Sequence, residues 1–568
     1  MGRALGDRLA GDLDSRARPA GLGPAAGLRT HVAGAAGAST PRPVVVVGCG
    51  PVGQTTALLL ARWQVPTIVL DARPARDVVG SRAICQQRDV LDIWDSVGTG
   101  RQIADEGVTW TRARTFHRDR ELFCTDFQDS GASSFPPWVN ISQGRTEQLL
   151  DDRLCAEPLA EVRWGHRVVG LEQDEAGVRV TCETADGAVE LAGSHAVVCC
   201  GARGEALRTL LGVSFEGRSF GDRFLICDLR TELPGWELER RFYFDPAWNP
   251  GRQVLIHPCP DSTFRIDWQV PEAFDLADEQ RSGALDRRIR QVVGDRPYEV
   301  VWQSVYRFHS RVADRMRVGR VLLAGDAAHL VAPFGARGLN SGVMDAENAA
   351  WKLAFVAHGW AADELLDSYH AERHAAALEN LEVTGATMRF LVPQDEHEWQ
   401  ERRSTLQAAA HDEAARARVD SGRLAEPFWY VDSPLTTPDP ERPFAGRPAK
   451  GAVPPPGPGV LVPDFPLPDP PPVPGTTRLR EVLRRGITVL TAPGADPGAV
   501  VVPPEVAAPV ALHAFEDLRP GLADAVGARP GELWLVRPDA HVAAVARDPE
   551  QLRAATARLL CRREVLAG

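Results

Sequence analysis

The chain has 568 residues, too many for one ordinary domain, so two or three are expected. Its 64 basic and 76 acidic residues leave a net charge of −12, which argues against a nucleic-acid or anionic-membrane surface. The 44% hydrophobic content can bury a large core, and with no run of about 18 apolar residues no membrane span is expected.

Residues 1–41 are rich in Gly, Ala and Arg and lack a continuous apolar segment, so they read as a disordered extension rather than a secretory signal. Val44-Val45-Val46-Val47 is a β-branched run between Pro43 and Gly48 and predicts a buried parallel strand. Residues 51–63 have helical character, and residues 67–70 are the next strand, ending at Asp71. Together they make a compact βαβ unit. Further strands are expected at 167–171, 178–181 and 196–200. Residues 214–309 alternate apolar and polar side chains, as in Phe264-Arg265-Ile266-Asp267-Trp268-Gln269-Val270. That pattern predicts an antiparallel sheet with one ligand-facing side. Residues 321–324 form another buried strand, and a long helical region is expected over 344–392. Residues 436–476 are Pro-rich and read as an extended linker or a wrapping arm. The last ninety or so alternate strand and helix patterns.

Ten cysteines carry no CxxC pair and fourteen histidines no HxH or HExxH spacing, so no metal site is expected. The same usage points to a reducing, cytoplasmic setting.

Gly48-Cys49-Gly50-Pro51-Val52-Gly53 follows a strand and opens a helix. The first Gly permits the tight turn, the second lets backbone approach a pyrophosphate, and the third lets helix and strand pack closely. Asp71, followed by Ala72 and Arg73, stands where an acid can bind a ribose hydroxyl. This turn alone leaves NAD, NADP and FAD open. Far downstream, Gly325-Asp326 ends a buried strand, and Pro333-Phe334-Gly335-Ala336-Arg337-Gly338-Leu339-Asn340 leads into a helix. A carboxylate at 326 can accept from ribityl hydroxyls, and amides at that helix start can meet a flavin edge. The two halves together point to FAD. Arg82 reads as a phosphate or flavin-edge contact, against a solvated arginine. Gln143 reads as a ribityl or ribose contact, against a helix-start cap.

On these motifs the chain resembles the class A flavoprotein monooxygenases of the phenol hydroxylase and p-hydroxybenzoate hydroxylase superfamily, and more narrowly bacterial aromatic and polyketide hydroxylases. The resemblance implies an α/β fold. A Rossmann-like FAD-binding domain would carry an inserted antiparallel substrate sheet (core 42–395) and be joined by residues 396–476 to a thioredoxin-like domain at 477–568. It implies one FAD, reduced by NADPH or NADH, which takes up O2 to give a C4a-hydroperoxide that oxygenates an aromatic small molecule. A tail of this type without CxxC would pack or form a homodimer rather than exchange disulfides. Tyr243, His257 and Asp267 are the candidates to ionise a phenol. Two departures stand out: Arg203 occupies the place of a family acid in Gly201-Ala202-Arg203-Gly204, and Asp89 occupies that of an arginine. Arg203 keeps a redox-neutral or accessory flavoprotein as an alternative. A flavin halogenase is the other, although Asp267-Trp268-Gln269-Val270-Pro271 does not match the halogenase Trp-x-Trp-x-Ile-Pro motif.

Overall fold

The computed structural model describes residues 41–76, 83–127, 133–448, 452–496 and 507–562. Val44–Val47 forms the middle of a six-stranded sheet, its four side chains covered on both faces. Thr67–Asp71 and Ala196–Val198 flank it in parallel register, with Ala160–Trp164 and Val321–Leu323 parallel beyond them. Arg317–Val318 closes one edge antiparallel. The helix Pro51–Arg62 links the first two strands, and its residues from Gly53 to Ala61 are all buried. It is buried over so much of its length because it is pressed between the sheet and two further helices, Gln143–Cys155 and Arg337–Ala357.

The strands expected near 167 and 178 are Arg167–Asp174 and Gly177–Thr184, which join Gly187–Gly193 in a separate antiparallel meander.

Residues 214–309 supply most of an eight-stranded sheet, but the sheet extends past those limits. Arg112–His117 and Arg120–Asp126 join one edge and His329–Leu330 the other. The expectation of a purely antiparallel sheet is corrected at one place. Arg112–His117 runs parallel to Glu239–Phe244, which a long crossover permits and a hairpin does not. One face of this sheet packs Leu225, Ile256, Ile266 and Trp268 against the helix Ala284–Val293. The other face turns Phe224, Phe242, Leu255 and Phe308 toward Phe334 and the helix Asp367–Leu391.

The single helix expected over 344–392 is two, Arg337–Ala357 and Asp367–Leu391. Gly359, at φ +68°, ends the first, and the 3-10 turn Asp363–Leu366 redirects the chain. No helix among the described residues is long and apolar enough to cross a membrane.

The C-terminal sheet has the spatial order Val510–Ala514, Ile487–Thr491, Leu533–Val536, Val542–Ala546. Its first pair is parallel and the other two are antiparallel. Ile487, Val489, Leu533 and Leu535 extend the main core, while Trp534, Phe515 and Leu522 form a second core on the far side. Part of the Pro-rich stretch packs onto this unit. Val460, Leu461 and Val462 are buried, and the amide of Val462 donates to the Ala540 carbonyl at 2.9 Å.

Buried ion pairs fasten this unit to the rest. Asp92, 1% exposed, accepts from Arg478, from Arg484 at 2.7 Å and from Arg480 at 3.4 Å. Burial pushes its carboxyl up, but the three guanidinium groups outweigh that and hold it well below the usual carboxylate range. Asp89, the second departure from the family pattern, pairs with Arg480 at 2.6 Å. Asp92→Ala removes the one carboxylate shared by three buried arginines and leaves Arg478 to Asp95 and Asp464, Arg480 to Asp89 and Arg484 to Glu347. It is expected to destabilise the fold by about 3–5 kcal/mol, read as an earlier urea transition in which the C-terminal unit separates first.

Candidate functional site

The glycine turn is compelled by its surroundings. Gly48 has φ +110°, and a Cβ there would come within 2.5 Å of the Cys199 carbonyl oxygen. A Cβ on Gly53 would lie 1.9 Å from the Gly48 carbonyl oxygen, so strand and helix touch at that point. Gly50 differs, because a Cβ there meets nothing within 4 Å. Gly50 is the N-cap of Pro51–Arg62, has extended backbone and gives no side-chain cap, and Pro51 at the helix start has no amide to satisfy. An uncapped helix N-terminus facing open space is the geometry that a pyrophosphate requires. Asp71 sits beside it. Its Oδ2 accepts from the Cys49 amide at 2.8 Å, and its Oδ1 accepts from the Arg73 amide at 2.9 Å and Arg73 Nε at 3.0 Å. Burial raises the Asp71 carboxyl, but these hydrogen bonds outweigh it and keep it ionised. Ala72 is exposed just beyond.

The downstream motif meets this turn directly. A Cβ on Gly325 would stand 3.0 Å from Val52, and one on Gly342 would stand 2.7 Å from Val52. Gly325-Asp326-Ala327 is a 3-10 turn at the end of Val321–Leu323. Asp345, fully buried, holds it: its Oδ2 accepts from the Gly325 amide at 2.9 Å and lies 2.7 Å from His329 Nε2, and its Oδ1 accepts from Arg373 Nε at 2.7 Å. Burial acts to raise the Asp345 carboxyl, and the His329 and Arg373 charges overcome it and bring it to about 2. His329 therefore belongs to the scaffold. Pro333 is exposed and Leu339 half-buried on the loop that follows, and a Cβ on Gly338 would meet nothing within 4 Å. The Asn340 side chain points away from that opening. It donates to the Cys85 carbonyl at 3.0 Å and accepts from the Gln87 amide at 3.0 Å, so only its backbone is offered to a ligand.

Gln143 opens the helix Gln143–Cys155, but the cap is Ser142, whose hydroxyl accepts from the Arg145 amide. Gln143 instead accepts from the Ala83 amide at 3.0 Å and donates to Glu147 at 2.7 Å. It orients the segment that follows residues 77–82, and Arg82 itself lies outside the described residues. Arg203 is exposed at the end of its turn, while Arg208 is buried and donates to the Ala327 carbonyl at 3.1 Å. The charge inversion thus sits on the surface, beside the Asp326 turn but not in its packing.

The three candidate bases do not share a face. Tyr243 lies on the helix-covered side of the large sheet. It stacks on Phe116 at 4.6 Å between centroids and accepts from Arg241 at 3.1 Å. His257 and Asp267 lie on the opposite side, on adjacent antiparallel strands, with His257 Nε2 and Asp267 Oδ2 4.0 Å apart. Among the described residues His257 Nδ1 and Asp267 Oδ1 are buried without a hydrogen-bond partner. Burial raises the Asp267 carboxyl to about 7, against the opposing charge of Arg265. Burial, with Arg240 and Arg265 nearby, pushes His257 well below its usual value, so it is neutral at pH 7. Arg265 pairs with Asp228 at 2.8 and 2.9 Å.

Arg240 is a residue that motif reading missed. On the strand Glu239–Phe244 it alternates with Phe242 onto the His257 side, and the two-residue period applied there would have found it. This side of the sheet abuts the downstream loop. Asn140 donates to the Pro258 carbonyl at 2.8 Å, and Cys259 packs with Cys85 and Ala336.

The chain matches two family models, an FAD binding domain over residues 42–384 and an aromatic-ring hydroxylase C-terminal domain over 455–562. It is 31% identical over 367 residues to a 3-(3-hydroxy-phenyl)propionate/3-hydroxycinnamic acid hydroxylase of Mycobacterium sp. (strain JLS), a match over 63% of this chain and 62% of that one. The chain therefore matches just under two thirds of the length of that relative. It is 33% identical over 355 residues to a rifampicin monooxygenase of Streptomyces venezuelae, over 61% of this chain and 71% of that one. Among solved structures, the flavin-dependent monooxygenase PieE in complex with FAD and substrate shares the fold. Its TM-score is 0.78 at 23% identity, over 92% of this chain and 99% of the other. Aklavinone-11 hydroxylase with FAD and aklavinone does so at TM-score 0.73 and 23% identity, over 92% and 100%. Two glycine motifs that converge on one helix start, and the two matched family models, lead to one assignment: the chain belongs to the FAD-binding family of class A flavoprotein monooxygenases, with an aromatic-ring hydroxylase C-terminal domain.

Proposed function

We propose that the protein is an FAD-dependent monooxygenase that hydroxylates an aromatic small molecule with NADPH or NADH and O2. The observation that carries this reading is the pairing of the open, uncapped Gly50 helix start with the Gly325–Gly338 segment, next to a sheet face bearing Asp267 and His257. When bound, FAD supplies hydride acceptance and oxygen activation. The chain's own residues then have four tasks. The helix start at Gly50 and the amides after it bind the pyrophosphate, and Asp71 with Arg73 orients the adenosine ribose. Asp326, fixed through Gly325 and Asp345, faces the ribityl chain, and Gln143 holds the segment that begins at Ala83 in place. The amides from Gly338 to Asn340 meet the flavin edge, with Pro333 and Leu339 shaping the loop. Asp267 accepts the phenol proton, and His257 beside it stays neutral and can pass that proton on.

Tyr243 has no part in this proton path, since it faces the other side of the sheet. The C-terminal strand order, one parallel pair followed by two antiparallel ones, supports a thioredoxin-like tail. All ten cysteines are free, which supports the reducing, cytoplasmic setting.

The direct test is anaerobic mixing of FAD-loaded protein with NADPH or NADH, with and without a panel of phenols. Flavin bleaching that a phenol accelerates, followed by oxygenated product in air, is the expected result. No bleaching with either nucleotide rejects the reading. Gly50→Ala is expected to leave the apoprotein's melting point unchanged, because its methyl meets no protein atom, yet to weaken FAD by roughly tenfold or more in a fluorescence titration. Gly53→Ala, by contrast, is expected to unfold the turn. For Asp267, the phenol-dependent rate should rise with pH through about 7 as its carboxyl ionises. Asp267→Asn should abolish that limb and slow the reaction roughly 10²–10⁴-fold.

A further inference from the structure

The C-terminal unit reaches both parts of the downstream glycine motif through buried ion pairs. The first relay starts at Arg537, fully buried in the turn between Leu533–Val536 and Val542–Ala546, which donates to Glu372 at 2.6 and 3.0 Å. Glu372 is adjacent on its helix to Arg373. Arg373 Nε donates to Asp345 at 2.7 Å, and Asp345 accepts from the Gly325 amide at 2.9 Å. Asp326, proposed to face the ribityl chain, is the next residue. The second relay starts at Arg480, which donates to Asp89 at 2.6 Å. Asp89 accepts from Gln87 Nε2 at 3.3 Å, and the Gln87 amide donates to Asn340 at 3.0 Å. Asn340 ends the Gly338–Asn340 segment proposed to meet the flavin edge.

The same unit grips the helix that begins at that segment. Trp351 Nε1 donates to Asp539 at 3.2 Å, and Arg484 pairs with Glu347, so Arg337–Ala357 is held at two places along its length by the C-terminal unit. Every charged residue of the two relays is at most 7% exposed. Buried charges tolerate little displacement, because separating a pair leaves each member desolvated and unanswered. A shift of the C-terminal unit therefore either breaks a pair or carries the Gly325 turn and the Asn340 helix start with it. Another fastening of the unit differs in this respect. Arg442 pairs with Glu532 at 2.7 Å, in a contact that shares no residue with either relay.

We infer that Arg480 and Arg537 are positioning residues for FAD. They act through Asp89 and through Glu372–Arg373 to set the two downstream segments, so the flavin site is complete only when the C-terminal unit is docked. This rests on the FAD site of the proposed function but not on its oxygenation chemistry. Linkage makes the effect reciprocal: bound FAD holds the C-terminal unit in place by the same factor that the docked unit adds to FAD affinity. Asp89, one of the two departures from the family pattern, is the residue on which the second relay turns.

The test is fluorescence titration of the full-length apoprotein with FAD, beside hydrogen–deuterium exchange of the unaltered protein with and without FAD. Arg480→Met and Arg537→Met are each expected to weaken FAD about tenfold. The corresponding Lys variants should recover part of that loss. Arg442→Met should lower the melting temperature and leave FAD affinity unchanged. In the unaltered protein, FAD is expected to slow amide exchange in Leu533–Val536 and Val542–Ala546 more than in the meander strand Gly177–Thr184, which neither relay touches. Unchanged FAD affinity in either the Arg480→Met or the Arg537→Met protein overturns the inference. An equal loss in Arg442→Met also overturns it, since the effect would then be a general loss of stability rather than a defined route. If the relay variants do not fold, the exchange measurement decides: C-terminal strands that FAD slows no more than the meander overturn the proposal. Relay-dependent FAD binding without phenol-accelerated flavin reduction would leave this inference standing and reject the monooxygenase reading. Phenol-accelerated reduction with FAD affinity indifferent to both arginines would do the reverse.

Discussion

Everything at the site depends on how closely the helix Pro51–Arg62 approaches two other parts of the chain. Gly53 puts its backbone against Gly48, and Val52 fills the space left by Gly325 and Gly342. No side chain can be added at these contacts without pushing the helix off the sheet. That contact fixes where the helix start points, and with it the open space at Gly50. It also brings the Gly325-Asp326 turn within reach of the same space, although the two motifs are far apart in sequence.

Charge rather than apolar area alone holds the second layer. Asp345 gathers the Gly325 amide, His329 and Arg373, so the turn is set by a carboxylate kept ionised at full burial. The residue before Arg373 continues the network. Glu372 accepts from Lys352 at 2.6 Å and from Arg537 at 2.6 and 3.0 Å, and Arg537 comes from the C-terminal unit. Together with the Asp92 cluster, this joins the C-terminal sheet to the helices behind the glycine turn. Buried pairs of this kind contribute little net stability over apolar substitutes, but they reject misplaced partners because any shift leaves a charge unpaired. The tail is thus bonded to the scaffold of the site through defined ion pairs.

The large sheet divides the remaining work between its faces. One is closed by Ala284–Val293 over Leu225, Ile266 and Trp268. On the other, among the described residues, His257 Nδ1 and Asp267 Oδ1 are buried without partners beside an aromatic cluster. Such atoms are destabilising unless something answers them, so the face carries a free-energy cost that the proposed aromatic substrate would offset.

The sequence by itself determined the elements whose reasons are local. A β-branched run between Pro43 and Gly48, a glycine triad and alternation in 263–270 each dictate backbone conformation or facing within a few residues, and they were legible as strand, turn and sheet. The places of Asp71 and Asp326 at strand ends, and the shared face of Arg265, Asp267 and Gln269, followed from the same local rules. Only the tertiary structure decided which groups meet. It placed Tyr243 on the closed face because a single step along a strand reverses the side chain. It split the helical stretch at Gly359, where a positive φ outweighs good helical residues on either side. It turned Asn340 inward to Cys85 and Gln87. It gave Asp89 the partner Arg480. Pairings between residues hundreds of positions apart leave no period and no spacing in the chain, since the energy that selects them appears only when the charges are buried together.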